Sequence, residues 1–379
     1  MIFGQFLPPL VTVYDATAAN DIPLEEQIKL FKNLVFCQLV CRTWKEVIED
    51  SPSLSFRDAH CVTEGGLAPR GGLKANGGRV KRLVVGEAKK TGCTSNSFLT
   101  LFPNVEYVSW ICGISSNKYS CGLEVAHPFL KHLRRLDWRF CGDFKTSVNS
   151  FIKLVQHSPM LEYITLTEAE KSLEGGSGWE INFDIPDSVT TLGLFFRDSK
   201  RRLAWLIGSQ LFTGPETSLR HVITSGSFRP RFCFSTIELR PDPCSTTKPA
   251  ECALQNFLRD FLQNRLPQDE CAKGTLIYSG AAYTPPFPYD HVVAERLKWV
   301  QKIVLKTSGS SHKTEDEKWD AARKHLEFML KQFRHLKSVD LCGDFRKWRA
   351  EEEKGRVLEE FEKSARGSGI SVEYRGRNP

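Results

Sequence analysis

No stretch of this 379-residue chain approaches the ~20 consecutive apolar residues that a membrane-spanning helix needs, so a helical membrane protein is excluded. There is no N-x-S/T sequon, and none of the twelve cysteines stands in a C-x-x-C pair. Scattered cysteines of this kind are expected as buried free thiols in a reducing compartment, the cytoplasm or the nucleus. Met1 to Leu10 is apolar, but it has no basic start and no small-residue cleavage site, and so does not read as a signal peptide. Absent as well are G-x-S-x-G, H-E-x-x-H, G-K-S/T and G-x-G-x-x-G, the short patterns that carry an activated serine, a catalytic zinc or a bound nucleotide. Cys37 and Cys41 sit one helical turn apart, yet a structural zinc site wants four ligands and no matching pair follows. Catalytic residues, a metal and a cofactor are therefore not expected.

Large charge excess is also lacking. The net charge is +7, with 41% hydrophobic and 26% charged residues, an ordinary balance for a folded soluble chain. The excess is uneven: residues 1–60 carry five Lys/Arg and eight Asp/Glu (5 − 8 = −3), which leaves +10 for the rest. A basic body can attract an acidic or phosphorylated partner, but the plainer reading is a solvated surface with a mild excess. Arg134-Arg135 and Arg197 with Lys200-Arg201-Arg202 are the clusters that could face a phosphate. Nucleic acid is not expected as a partner.

What the chain does have is a period. An apolar residue, two of any kind, an apolar residue, one more and another apolar residue recur from Val80 (Leu83, Val85), Val105 (Val108, Trp110), Leu133 (Leu136, Trp138), Leu161 (Ile164, Leu166) and Val189 (Leu192, Leu194). The steps between starts are 25, 28, 28 and 28 residues. A constant step in that range marks a stacked repeat protein, in which each unit buries its apolar face against its neighbours. Short strands alternate with helical stretches: Val148, Phe151, Ile152 and Val155 lie at helical spacing and His157-Ser158-Pro159 closes them before the strand at Leu161. Further helices are expected around Leu254 to Leu262, Ala322 to Phe333 and Val357 to Phe361, with strands at Leu336, Val339, Leu341 and at Ile370, Val372, Tyr374. Between residues 200 and 300 the repeat blurs, and Phe234-x-x-Ile237-x-Leu239 arrives too early for the period. Eight or nine units are expected. The fold class is α/β, a solenoid with parallel strands lining one side of an arc and helices the other, and Trp110 and Trp138 are expected in its core.

Three regions follow. Residues 1–60 form a small helical module, residues 61–79 a glycine-rich linker or loop, and residues 80–379 the irregular repeat solenoid. In the first, residues 24–50 read as a helix with Phe36, Leu39, Val40, Trp44, Val47 and Ile48 on one face, stopped by Ser51-Pro52.

The strand-plus-helix units resemble leucine-rich repeats in which aromatic or β-branched residues replace many leucines. The family's Asn or Cys, three residues after the last apolar position, occurs once, at Cys141. A second resemblance lies in L-V-C-R-T-W at 39–44 and S-P-S-L at 51–54, which look like the second half of an F-box, with Cys41, Arg42 and Trp44 on its Cys-Arg-x-Trp core and Pro52 and Leu54 on its Pro-x-Leu ending. Leu7-Pro8-Pro9-Leu10 stands where that family opens with Leu-Pro-x-Glu, but no Glu follows, and Val11 to Thr17 is β-branched and turn-prone rather than helical. Together the two resemblances make the chain similar to fungal, basidiomycete-type F-box proteins with degenerate leucine-rich repeats.

That resemblance implies a non-catalytic substrate-recognition subunit of a Skp-cullin-F-box ubiquitin ligase. Leu7, Pro8, Leu39, Val40, Cys41, Trp44, Pro52 and Leu54 would bind the Skp-type adaptor, and the repeat arc would hold a protein substrate whose identity is left open. Two alternatives stay beside it: a ligase-independent repeat scaffold with a decayed F-box, and a helix in which Trp44, Leu39 and Val40 merely cap the first repeat. Target-facing residues are the variable strand positions, such as Glu106, Tyr107, Arg134, Arg135, Glu162 and Tyr163.

Overall fold

A short strand with apolar residues at alternate positions can bury one face, and the last two residues of each phased triplet have that spacing. The computed structural model of the chain describes residues 58–61, 77–85, 102–111, 128–140, 151–168, 186–195, 219–224, 235–239, 274–279, 300–307 and 314–375. Within them the triplet residues Val80, Leu83, Val105, Val108, Trp110, Leu133, Leu136, Trp138, Leu161, Ile164, Leu166, Val189, Leu192 and Leu194 are all buried.

The described strands are β1 (Asp58–Cys61), β2 (Arg82–Val85), β3 (Tyr107–Ile111), β4 (Arg135–Phe140), β5 (Tyr163–Glu168), β6 (Thr191–Phe195), β7 (His221–Thr224), β8 (Thr236–Leu239), β9 (Gly274–Ser279), β10 (Val300–Lys306), β11 (Ser338–Cys342) and β12 (Ser371–Arg375). Three helices are described near the C-terminal end, α1 (Glu315–Gln332), α2 (Phe345–Arg349) and α3 (Glu352–Gly367). Residues 151–156 are helical as the periodicity predicts, with Phe151, Leu154 and Val155 buried. The chain divides into two compact units, and the division falls inside β6 between Gly193 and Leu194.

In the first unit the strands pair in chain order, and β1 to β5 are parallel throughout. Their joints repeat. The N–H groups of Glu106 and Tyr107 both donate to the carbonyl of Lys81, those of Arg134 and Arg135 to Glu106, those of Glu162 and Tyr163 to Arg134, and those of Thr190 and Thr191 to Glu162. The sequence period is thus a repeated hydrogen-bond geometry. The core side carries Trp110 stacked on Trp138 at 5.6 Å between centroids, with Phe151 5.9 Å beyond. Both tryptophans are core residues, as expected.

The second unit also runs in chain order, β7 to β12, with every described pairing parallel. β8 is the out-of-phase triplet at Ile237 and Leu239, and it pairs with β7 and β9 despite its early arrival. Helix α1 starts on a capping box: Thr314 Oγ1 accepts from the Glu317 N–H while the Glu317 carboxylate accepts from the Thr314 N–H. It buries Ala322, Leu326 and Met329 as predicted, while Leu330 is half-exposed and His325 and Phe328 are buried instead. The turn into α2 needs Gly343, whose φ is +90° and where a Cβ would lie 2.3 Å from Thr307 Oγ1; that oxygen accepts from the Asp344 N–H. Helix α2 places Trp348, fully buried, edge-on to Trp319 and Phe345.

The chain is therefore α/β with parallel strands laid down in sequence order, compatible with a solenoid-like arrangement. Twelve strands are described where eight or nine units are expected from the spacing, and β1 and β8, which lie outside the regular phase, are among them. The helical module expected over 1–60 lies outside the described residues apart from β1, and the linker expected over 61–79 is described only at Cys61 and at the 3₁₀ turn Gly77–Arg79. No helix among the described residues is long and apolar enough to cross a membrane.

Candidate functional site

Because Leu83, Val108, Leu136 and Ile164 point into the core, their strand neighbours belong to the opposite face. The register places Arg82, Tyr107, Arg135 and Tyr163 side by side on adjacent strands, and Val84, Ser109, Asp137 and Thr165 one pair further along. The first row alternates cation and ring. The Arg82 guanidinium carbon lies 4.7 Å from the Tyr107 ring centroid, and that of Arg135 lies 4.6 Å from Tyr107 and 4.2 Å from Tyr163. At such distances a guanidinium is attracted to the negative face of a ring, and more strongly when water is excluded.

Water is largely excluded here. Arg82 and Tyr163 are 2% exposed, Tyr107 3% and Arg135 6%. Arg135 Nε donates to Asp137 Oδ1 and Nη2 to Oδ2, both at 3.2 Å, a two-point pairing that matches the fork of a guanidinium to a carboxylate. Tyr107 Oη also donates to Asp137 Oδ2. Burial disfavours the Arg135 charge, but the facing carboxylate and the two phenols more than reverse this and hold its pKa above the ordinary value. Burial also pushes both phenols up, Tyr163 to about 12 and Tyr107 further. Both phenols stay protonated and neutral at physiological pH.

Residues expected to face a target separate into two sets. Tyr107, Arg135 and Tyr163 join this buried strip. Glu106, Arg134 and Glu162 lie at the strand entries, half-buried, where Lys81 pairs with Glu106 at 2.7 Å and Arg134 with Glu162 at 3.0 Å. Sequence reasoning missed Arg82 and Asp137. The signal for both was present: 53 residues separate Arg82 from Arg135 (135 − 82 = 53), two repeat steps, and Arg-x-Asp in β4 puts both ends on one face.

The corresponding face of the second unit sets lysine and arginine against buried carboxyl groups. Lys306 Nζ lies 3.1 Å from Glu238 Oε1, reaching past β9, and Asp340 Oδ2 takes Lys302 at 2.8 Å and Arg375 at 3.0 Å. Ile277, Val304 and Cys342 form the apolar floor between them. Burial raises the Glu238 carboxyl to about 7 against the lowering effect of Lys306, and burial, with Lys306 adding to it, lowers His221 to about 3. His221 Nε2 lies 3.6 Å from Glu238 Oε2; with the imidazole held neutral, this is a contact between polar groups and not an ion pair. Cys342 is a free, buried thiol with its pKa raised by that burial.

No group of three or more His, Cys, Asp and Glu side chains among the described residues is placed to hold a metal. Leu7, Pro8, Leu39, Val40, Cys41, Trp44, Pro52 and Leu54, read as an adaptor-binding set, lie outside the described residues, as do Arg197, Lys200, Arg201 and Arg202. The chain matches no protein-family model and no curated protein.

Proposed function

We propose that this protein is a non-catalytic substrate-recognition subunit of a Skp-cullin-F-box ubiquitin ligase, acting in the cytoplasm or nucleus. The parallel ladder is read as an irregular leucine-rich-repeat solenoid that binds a protein, and residues 1–60 as an F-box-like module that binds the Skp-type adaptor. The observation that carries the reading is the register of Cys41-Arg42-x-Trp44 with Pro52-x-Leu54, followed by phased triplets that pair as parallel strands. The chemistry belongs to other subunits of the ligase. This chain contributes proximity, holding a target lysine near the loaded conjugating enzyme so that transfer becomes effectively intramolecular.

The test is co-purification with a recombinant Skp-type adaptor. Full-length protein should co-migrate with it on gel filtration, and the variant lacking residues 1–60 should not. Trp44→Ala should weaken the complex about tenfold or more, as loss of a central aromatic anchor does. Pull-down that persists after deletion of 1–60 would end the docking assignment. A ligase-independent repeat scaffold is the second reading, favoured by the missing Glu after Leu7-Pro8-Pro9-Leu10. It gives separate peaks for the chain and the adaptor.

A further inference from the structure

Two arginines occupy equivalent places in the strip, and only one has its carboxylate. Arg135 in β4 is followed two residues later by Asp137, which binds it at two points. Arg82 in β2 is followed two residues later by Val84, and the register carries Val84 to Ser109 and Ser109 to Asp137, so a valine holds the place of the aspartate. Arg82 rests on the Tyr107 ring, is 2% exposed, and its Nε and Nη2 are buried without a hydrogen-bond partner. The Asp137 oxygens accept from Arg135 and the Tyr107 hydroxyl, and none of them reaches the two unpartnered nitrogens of Arg82. At the strand entries beside it, the cations are matched to acidic residues, Lys81 to Glu106 and Arg134 to Glu162. A buried guanidinium without a counter-charge is strongly unfavourable, and a planar fork selects a planar oxyanion.

We propose that Arg82 is an oxyanion seat on this face, taking a carboxylate of an acidic segment of the bound protein in the manner that Asp137 serves Arg135. The seat rests on the protein-binding reading above and names the chemistry it recognises. Both unpartnered nitrogens are shielded from water in the free chain, and binding is read at equilibrium.

The experiment uses the full chain and three fluorescent peptides: a Glu-Ser repeat, its Gln-Ser counterpart and a Gln-phosphoserine counterpart, followed by anisotropy. The Glu-Ser peptide should bind and the Gln-Ser peptide should not. Arg82→Met should weaken binding roughly tenfold or more, while Lys153→Gln, which removes a positive charge from the exposed side of helical residues 151–156, should leave it within about twofold. Val84→Asp supplies the carboxylate from within the chain, so it should raise the thermal midpoint and abolish peptide binding. Arg82→Lys keeps the charge, loses the fork and should also bind weakly, which serves if Arg82→Met does not fold. If only the phosphoserine peptide binds, the carboxylate assignment is overturned. Equal affinity in wild type and Arg82→Met, or no binding of either acidic peptide, overturns it. Adaptor co-migration is read separately: a chain that binds the peptide but not the adaptor keeps the seat and loses the ligase, and the reverse result does the opposite.

Discussion

The two units treat buried charge differently on otherwise similar ladders. In the first, Arg82 and Arg135 lie against Tyr107 and Tyr163, and among the described residues a single carboxylate, Asp137, serves the strip. In the second, carboxylates are the buried partners: Glu238 and Asp340 have side chains 2% exposed, while the cations that reach Asp340 keep more contact with water, Lys302 at 32% and Arg375 at 42%. A ring face attracts a dry cation through its quadrupole but accepts none of its in-plane N–H groups, so a guanidinium on a ring still needs an anion at its edge. Ion pairs need the counter-charge held in place, and breaking them hurts in proportion to how dry the survivor is left. The comparison teaches that the exposure of the partner left behind sets the penalty, more than the burial of the residue removed.

The largest expected effect tests that rule directly. Asp137→Asn leaves Arg135, whose side chain is 7% exposed, without its carboxylate, and should cost about 3–5 kcal/mol in chemical denaturation. Asp340→Asn removes a more deeply buried carboxylate but releases cations that can reach solvent, and should cost only about 1–2 kcal/mol once screening is allowed for. If Asp340→Asn is the more damaging, the rule fails.

The second unit offers a test by pH. Folded Glu238 keeps its proton to about pH 7, while the unfolded chain loses it near the ordinary 4.5. The folded state binds more protons over that window, so this group alone makes stability fall as pH rises from 4.5 to 7. Folded His221 has lost its proton above about pH 3, while the unfolded chain keeps one up to 6.5, so this group alone makes stability rise over that range. The two oppose each other between pH 4.5 and 6.5. Wild type should be nearly flat there, Glu238→Gln should gain a positive slope of up to about 1.4 kcal/mol per pH unit, and His221→Asn a negative one. Slopes of the same sign in both variants would break the assignment. The smallest effect belongs at the strand entries: Glu106→Gln, opposite a Lys81 side chain that is 41% exposed, should change stability by less than about 1 kcal/mol.

The core side of the ladder was legible in the sequence because its apolar residues are spaced by the strand itself. Alternation assigns the last two residues of each triplet to one face, the first lies two residues ahead of its strand, and all the described triplet positions are buried. Other features carry no such period. Helix α2 spans five residues, too few for a 3.6-residue pattern to show, so Trp348 gave no warning of its place in the core. β8 breaks phase with β7, and its pairing is a matter of backbone register, which hydropathy does not report. On the polar face, alternation says which side Tyr107, Arg135 and Tyr163 occupy but not whether that side is covered. Their burial depends on tertiary packing, and Arg82 becomes noticeable only because its nitrogens are dry and unmatched.

The doubled donation at the entries of β3 to β6 bears on how this chain can change over time. Lys81, Glu106, Arg134 and Glu162 each present one carbonyl to two successive amides of the next strand. Each of these four rungs is thereby indexed to the rung before it, whatever length of chain runs between them. Insertions and deletions can accumulate in the connectors without shifting which side chains meet, so the rows of side chains on the strands are insulated from drift in the loops.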